Sequence, residues 1–194
     1  ALRASTGATV YGPAREYIPR PLTALADGQA VTALGLQFEV IDVPGHTAGH
    51  IAYVCAAMDG QPLLFCGDTL FSAGCGRLFE GTPAQMLASL NRLAALPPDT
   101  RVCCTHEYTL SNLKFALEVD PDNADLIAPS AHCHALRAQG QPTLPSSIAL
   151  ERKINPFLRS SEPALIAAAR RFDAASVEQN GAFATLRQWK NQYR

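Results

Sequence analysis

Short β-rich runs are confined to the first part of the chain, and this distribution constrains the fold more than any other feature. The runs are rich in β-branched, aromatic and cysteine residues and are bounded by Gly, Pro or Asp; they lie at 36–43, 51–55, 63–66 and 101–104. Such runs predict strands. Asp59-Gly60 predicts a hairpin turn between the second and third strands. Thr82-Pro83 predicts the start of a helix, because a hydroxyl suits the N-cap and proline suits the first helical position.

After His106 the apolar residues recur at helical spacing, and we expect no further strand. Helices are predicted over 123–139, 162–172 and 183–193. Pro129 should kink or split the first of these, and Gly181 should separate the last two. The pattern therefore predicts an α/β domain over residues 1–108 and a helical domain over 109–194.

Composition and charge exclude several classes of protein. The 194 residues are 47% hydrophobic and 17% charged, which favours a packed core over disorder. The net charge of -1 and the lack of a basic run argue against nucleic acid or an anionic membrane as partner, and no apolar stretch reaches the ~20 residues of a membrane span. The six cysteines form no Cys-x-x-Cys pair, which argues against a structural zinc knuckle. Four of them lie in or beside the predicted strands, where a reduced thiol behaves as a small hydrophobe, so we expect a reducing, cytoplasmic location. We also expect a monomer.

Three of the predicted strands end in residues that could bind metal. His46 and His50 lie in a glycine-rich turn, Asp68 follows Gly at the end of an apolar run, and His106 follows the last run. Loops at one edge of a sheet are where α/β proteins build sites, so we expect His46, Asp68 and His106 to meet, with His50 in support. The alternatives are a structural histidine pair and an Asx-turn at Asp68.

Other polar residues give weaker indications of a role. His132 and His134 are two apart on a predicted helix and point in different directions, so they indicate surface positions. Arg77 lies in a glycine-rich loop, where it could meet an anionic ligand. Arg187 and Lys190 are three apart and share one helix face, which could hold a carboxylate or could simply be solvated.

Taken together, these segments resemble the glyoxalase II (hydroxyacylglutathione hydrolase) family of the metallo-β-lactamase superfamily. The resemblance rests on Gly-His-Thr-x-Gly-His at 45–50, Gly-Asp-Thr-Leu-Phe at 67–71, Gly-Cys-Gly-Arg at 74–77, Phe-Glu-Gly at 79–81, His-Glu-Tyr-Thr at 106–109, Asn-Leu-Lys-Phe-Ala at 112–116, Asn-Pro-Phe-Leu-Arg at 155–159 and Leu-Arg-x-x-Lys at 186–190. It implies an αββα sandwich with a helical, glutathione-binding C-terminal domain.

The resemblance also implies a two-metal site. By motif match His46 would bind one metal and His106 the other, with Asp68 bridging them, and a hydroxide between the metals would attack the thioester. Zinc is expected, although the same ligands suit iron and manganese.

The implied substrate is S-D-lactoylglutathione, which would be hydrolysed to D-lactate and glutathione in methylglyoxal detoxification. Arg77, Arg187 and Lys190 match positions that hold the glutathione carboxylate, and Tyr108 matches one that lines the same pocket. Phe79 departs from the family pattern, since some members carry tyrosine there.

The larger departure is the absence from this sequence of a Thr-His-x-His-x-Asp-His motif. Family members carry this motif shortly before the segment that matches Ala1. It supplies most of their metal ligands, so the remaining ligands are expected outside this chain, and the first domain is expected to be incomplete. A polypeptide that truly starts at Ala1 would bind metal weakly and have negligible activity. Two alternatives therefore stand beside the hydrolase: a persulfide dioxygenase of the same superfamily with one iron, and a non-catalytic remnant that binds glutathione conjugates.

Overall fold

The computed structural model describes residues 2–58 and 60–193. The strands are β1 Tyr11–Pro13, β2 Thr23–Leu25, β3 Ala30–Ala33, β4 Leu36–Asp42, β5 Ile51–Met58, β6 Gln61–Gly67, β7 Leu70–Phe71, β8 Gly74–Cys75, β9 Arg101–Cys104 and β10 Ser146–Ser147. The helices are α1 Leu2–Thr6, α2 Pro83–Ala94, α3 Thr109–Val119, α4 Ile127–Ala138, α5 Ile148–Ile154 and α6 Pro163–Gln192, with a 3-10 turn at Ala124–Leu126. The predicted α/β class is confirmed.

A six-stranded mixed sheet, in the order β10-β9-β6-β5-β4-β3, forms the centre of the molecule. β6 and β9 pair in parallel and the other neighbours pair antiparallel. β1 and β2 form a separate parallel pair, and β7 and β8 form a small antiparallel hairpin. The parallel pairing of β6 and β9 places the ends of both strands at the same edge of the sheet, which is where Asp68 and His106 follow.

The main core lies between this sheet and the helices. Leu64 and Val102 of the sheet pack in one buried cluster with Leu90 of α2, Phe115 of α3 and Leu186 of α6. Residues far apart in sequence thus share one apolar interior, and the helical part is packed directly against the sheet.

Helix α2 begins as its sequence predicts. The Thr82 hydroxyl accepts the Gln85 N–H while the Gln85 side chain accepts the Thr82 N–H, which completes a capping box ahead of Pro83. Met86 and Leu90 on its apolar face are fully buried.

The second half of the chain differs from expectation in detail. Pro129 lies in the first turn of α4, where a missing N–H breaks no helical hydrogen bond, so the proline does not split this helix. The break at Gly181 is confirmed, with φ of 83°. A second break at Asp173 follows the predicted end of the helix at residue 172, whereas the helical stretch between the two breaks was not predicted.

The expectation of no strand after His106 is wrong. Ser146 and Ser147 form β10, which pairs antiparallel with β9. A two-residue strand is too short to show the alternation by which strands are recognised in sequence. The predicted Asp59-Gly60 turn includes Asp59, which lies outside the described residues; β5 and β6 on either side pair antiparallel, with Met58 opposite Gln61.

All six cysteines are free, and His132 and His134 are exposed on α4 as predicted. Among residues 2–58 and 60–193, no helix combines the length and the apolar character that a bilayer span requires.

Candidate active site

The turn that carries His46 is held by the segment 77–81. The His46 N–H at Nδ1 donates to the Arg77 carbonyl oxygen at 2.8 Å, and the Phe79 N–H donates to the His46 carbonyl oxygen at 3.1 Å. The Glu80 carboxylate accepts the Ala48 N–H at 2.9 Å. Because a carbonyl oxygen can only accept, the proton of a neutral His46 sits on Nδ1, and Nε2 is left as a free donor of an electron pair.

His50 holds the backbone of Asp68 through a hydrogen bond. Its Nε2 accepts the Asp68 backbone N–H at 3.1 Å, and a Cβ at Gly67 would lie 2.2 Å from the same nitrogen. Burial, and then the proximity of His46, lower the pKa of His50, which favours the neutral ring that this acceptor role requires. The supporting role predicted for His50 agrees with this geometry.

His106 follows β9 and packs against Tyr108. Its ring stacks on Tyr108 with centroids 4.9 Å apart, and the edge of Phe71 meets Tyr108 at 5.3 Å. On the other side of the site the ring of Phe79 lies 4.9 Å from that of His46. Phe79 is exposed and has no hydroxyl, so it can offer a ligand only its aromatic face.

The two imidazoles lie near different oxygens of the Asp68 carboxylate. Nε2 of His106 lies 3.3 Å from Asp68 Oδ1, and Nε2 of His46 lies 4.0 Å from Oδ2. Thr105 Oγ1 also donates to Oδ1 at 3.0 Å and so helps to orient the carboxylate. Each carboxylate oxygen therefore faces a different histidine, an arrangement that suits two cations sharing one aspartate. Among the described residues, no group of three or more His, Cys, Asp or Glu side chains is arranged to hold a metal ion by itself.

These three side chains open into a cavity of about 590 Å³. The cavity walls also contain all four residues predicted to contact substrate, namely Arg77, Tyr108, Arg187 and Lys190. A larger cavity of about 860 Å³, beside α4 and α5, contains none of the predicted site residues. The sequence-predicted residues are thus brought together in one place.

The basic residues of the cavity differ in solvent exposure and in the hydrogen bonds that they already make. Arg77 is exposed, whereas Arg187 is 95% buried, since its residual exposure is 5%. Nη1 of Arg187 donates to the Cys75 carbonyl oxygen at 2.8 Å and its guanidinium lies over the Phe157 ring, while among the described residues its Nε has no hydrogen-bond partner.

Lys190 is half-buried and donates through Nζ to the Ser111 carbonyl oxygen and hydroxyl at 2.9 and 3.0 Å. Burial, and then the nearby positive charges of Arg187 and Arg77, lower the pKa of Lys190 to about 8. A cation destabilised by its neighbours in this way gains most from an incoming anion.

Several cavity residues were not predicted. Phe71, Ser111 and Tyr193 line the cavity, and Thr105 orients Asp68. Thr105 could have been suspected, because it directly precedes His106. Ser111 and Tyr193 carry no comparable signal, since only the packing of α3 against α6 brings them to the site.

Comparison with known proteins agrees with this fold. Residues 2–106 match the family model described as metallo-beta-lactamase superfamily, which defines the class of protein. Residues 107–193 match the model described as hydroxyacylglutathione hydrolase C-terminus. Over 193 residues the chain is 66% identical to the hydroxyacylglutathione hydrolase of Albidiferax ferrireducens, covering 100% of this chain and 76% of that protein. The chain therefore belongs to the hydroxyacylglutathione hydrolase family of that superfamily.

A further relative supports this family, and two solved structures support the fold. The hydroxyacylglutathione hydrolase of Pseudomonas aeruginosa strain LESB58 is 58% identical over 197 residues, covering 100% of this chain and 74% of that protein. Among solved structures, ETHE1 from Myxococcus xanthus superposes with a TM-score of 0.59 at 26% identity, covering 93% of this chain and 68% of the other. A metallo-beta-lactamase from Staphylococcus aureus superposes with a TM-score of 0.56 at 16% identity, covering 97% and 51%, and supports the fold alone. The predicted fold class is thus confirmed.

Proposed function

We propose that this protein hydrolyses glutathione thioesters, with S-D-lactoylglutathione as substrate and D-lactate and glutathione as products. The observation that carries the proposal is the shared cavity, in which the His46–Asp68–His106 cluster and three basic side chains face one space. A glutathione thioester needs both features, because it has a reactive carbonyl at one end and carboxylates at the other. The family to which the chain belongs supports the same activity.

Divalent metal is expected from the superfamily, and the donor set fits part of a two-metal site. We propose that His46 holds one ion and His106 the other, with Asp68 shared between them. Three side chains are fewer than the roughly four ligands that even one such ion takes, so the other donors must come from water, substrate or polypeptide beyond these residues. Zinc suits these ligands, and iron or manganese would also be accepted.

When bound, such ions would supply Lewis-acid polarisation of the thioester carbonyl and activation of water. The chain's own residues would orient the metal ligands and flank the substrate. His50 and Thr105 fix Asp68, the Arg77 carbonyl fixes the His46 tautomer, and the aromatic faces of Phe79 and Tyr108 flank the reacting end. The departing thiol, with a pKa of about 8.5, needs little assistance to leave.

We propose that Arg77 and Lys190, with the remaining donors of Arg187, bind a glutathione carboxylate, and that Tyr108 lines the same pocket. Arg77 is the most accessible of the three cations and can offer a bidentate contact. We also propose a monomeric, cytoplasmic enzyme divided near residue 108 into a metal-binding and a helical, glutathione-binding domain; the free thiols support a reducing compartment.

The test is thiol release from S-D-lactoylglutathione by the metal-loaded protein, with Arg77→Ala beside wild type. Since the carboxylate contact is made in ground and transition states alike, we expect KM to rise about tenfold with kcat little changed. Arg170→Ala, on an exposed part of α6, is the matched control and should behave as wild type.

Absence of thiol release, with oxygen consumption on glutathione persulfide instead, would overturn the hydrolase in favour of the dioxygenase. The match of residues 107–193 to the hydrolase C-terminus, which includes Arg187 and Lys190, favours the hydrolase.

A further inference from the structure

The hairpin formed by β7 and β8 is held from Phe71 to Cys75 by side chains of the helical part. Each residue from 71 to 75 has a main-chain group bound in this way. The Asn155 amide donates to the carbonyl oxygens of Phe71 and Gly74 at 3.2 and 2.9 Å, and the Asn112 amide donates to that of Ser72 at 3.0 Å. Nη1 of Arg187 donates to the Cys75 carbonyl oxygen at 2.8 Å. The Ala73 N–H donates to the Glu151 side chain at 2.8 Å.

Glu151 is at the centre of these contacts and is completely buried. Its Oε2 accepts both the Ala73 N–H and the Asn155 amide, the latter at 2.9 Å, and its Oε1 accepts the Ser146 hydroxyl. A buried carboxyl group without partners is strongly disfavoured, so satisfied hydrogen bonds on both oxygens are what allow it to sit there.

The hairpin needs such support because its own conformation is unfavourable. Ala73 has φ of 53°, in the left-handed region that residues with a side chain rarely adopt. Such a residue persists only where its surroundings determine its conformation. The strands on either side are two residues long and contribute little of their own.

The hairpin in turn connects the two chemical parts of the cavity. It starts two residues after Asp68 and ends two residues before Arg77. The Gly76 N–H donates to the Thr69 carbonyl oxygen, and a Cβ at Gly76 would lie 1.9 Å from the Asp68 carbonyl oxygen. A shift of the hairpin would therefore displace Asp68 or Arg77, or both.

We propose that Glu151 is a positioning residue that, with Asn112 and Asn155, fixes the 71–75 hairpin and thereby the spacing between the metal-facing Asp68 and the anion-facing Arg77. The effect on ligand binding rests on the proposed function, whereas the clamp on the backbone does not. The helical part thus contributes residues that line the cavity and residues that hold the hairpin in place.

The test combines two readouts on the full chain: amide hydrogen exchange of residues 72–76, and the Kd for S-methylglutathione, a thioether that cannot be hydrolysed. Glu151→Leu removes every hydrogen bond of the carboxylate while keeping its approximate size. We expect amide exchange of Ala73 and its neighbours to accelerate by at least about tenfold, and ligand affinity to fall by about tenfold, the scale of one lost buried hydrogen bond.

Glu151→Gln should restore both values nearly to wild type. Its amide oxygen can accept from Ala73 and Asn155, and its NH2 can donate to the Ser146 hydroxyl, which can reverse its role. Asp120→Leu is the matched control, because it removes another buried carboxylate of the helical part that pairs with Arg159 and does not contact the hairpin. It should lower Tm without changing exchange at 72–76 or ligand affinity.

The proposal is overturned if Glu151→Leu folds and leaves exchange at 72–76 at the wild-type rate, or if Asp120→Leu accelerates it equally. If Glu151→Leu does not fold, Asn112→Ala, which releases only the Ser72 carbonyl, must accelerate local exchange for the proposal to stand. Wild-type protein that binds no S-methylglutathione, with exchange responding as expected, would refute the glutathione assignment and leave the clamp intact.

Discussion

At the scale of single residues, the site depends on groups whose orientation is set by their neighbours. His46 exposes Nε2 because the Arg77 carbonyl oxygen accepts a hydrogen bond from the N–H at Nδ1. Asp68 is held through its backbone N–H, which donates to His50, and through Oδ1, which accepts from the Thr105 hydroxyl. Arg77 therefore serves twice, through its side chain and through its backbone. Fixed orientation of ligands by a second layer of hydrogen bonds is a general property of metal sites.

Asp68→Asn tests the shared-carboxylate proposal. The asparagine keeps the size and the Thr105 hydrogen bond but loses the charge, so we expect metal affinity to fall at least about tenfold. Metal content after equilibrium dialysis, determined by elemental analysis, is the measurement, and Asp122→Asn on the surface is the control. Retention of a full metal complement by Asp68→Asn would refute the bridge.

The pH dependence of ligand binding tests Lys190. Since burial lowers the pKa of this ammonium to about 8, it is charged at pH 7 and loses its proton as the pH rises through 8. A bound carboxylate favours the charged form, so affinity for S-methylglutathione should decrease above pH 8, by at most about tenfold per pH unit. Calorimetric titrations between pH 6.5 and 9.5 would measure this. Lys190→Met should bind more weakly at pH 7 and show a flatter profile; an unchanged slope would exclude Lys190 as the titrating group.

At the scale of elements, short segments are stabilised by specific local contacts that also position the site. α2 packs Met86 against Gly45, where a Cβ would lie 2.8 Å from Met86 Cβ, so the start of this helix lies against the His46 turn. The capping box of Thr82 and Gln85 fixes where the helix begins.

Thr82→Ala should destabilise the protein by about 1 kcal/mol, because the Gln85 N–H loses its acceptor. Thr82→Ser retains the hydroxyl and should remain within about 0.5 kcal/mol of wild type. Urea denaturation followed by circular dichroism would give both values. Equal losses in the two variants would show that the methyl group, and not the cap, is what matters.

At the scale of the whole molecule, sheet and helices share one core, so they should unfold together. Leu186 of α6 is fully buried in the cluster that contains Leu64 and Val102 of the sheet. Leu186→Ala should cost about 2–5 kcal/mol and shift the unfolding of the entire protein.

Trp189, the single tryptophan, reports locally on α6, and far-UV circular dichroism reports on all secondary structure. We expect the two transitions to coincide in wild type and in Leu186→Ala. Ile127→Ala, at an exposed position of α4, should change stability by less than about 0.5 kcal/mol. A tryptophan transition that precedes the loss of the sheet would indicate two independently folding domains.

The sequence alone was sufficient for the principal strands, the start of α2 and the meeting of His46, Asp68 and His106. These are local properties: residue periodicity defines a strand, and polar residues that follow strands of one sheet are delivered to its edge. The family motifs then assigned roles to residues that spacing left ambiguous, Arg187 and Lys190 in particular.

Only the tertiary structure decided which backbone groups are satisfied, and by which side chains. Nothing in the local pattern around Glu151 or Asn155 indicates that they bind a hairpin some 80 residues earlier, that Arg187 is committed to the Cys75 carbonyl oxygen, or that Ser146 and Ser147 add a strand to the sheet. A hydrogen bond between distant residues depends on where the whole chain brings them, and periodicity within a short window carries no information about that partner.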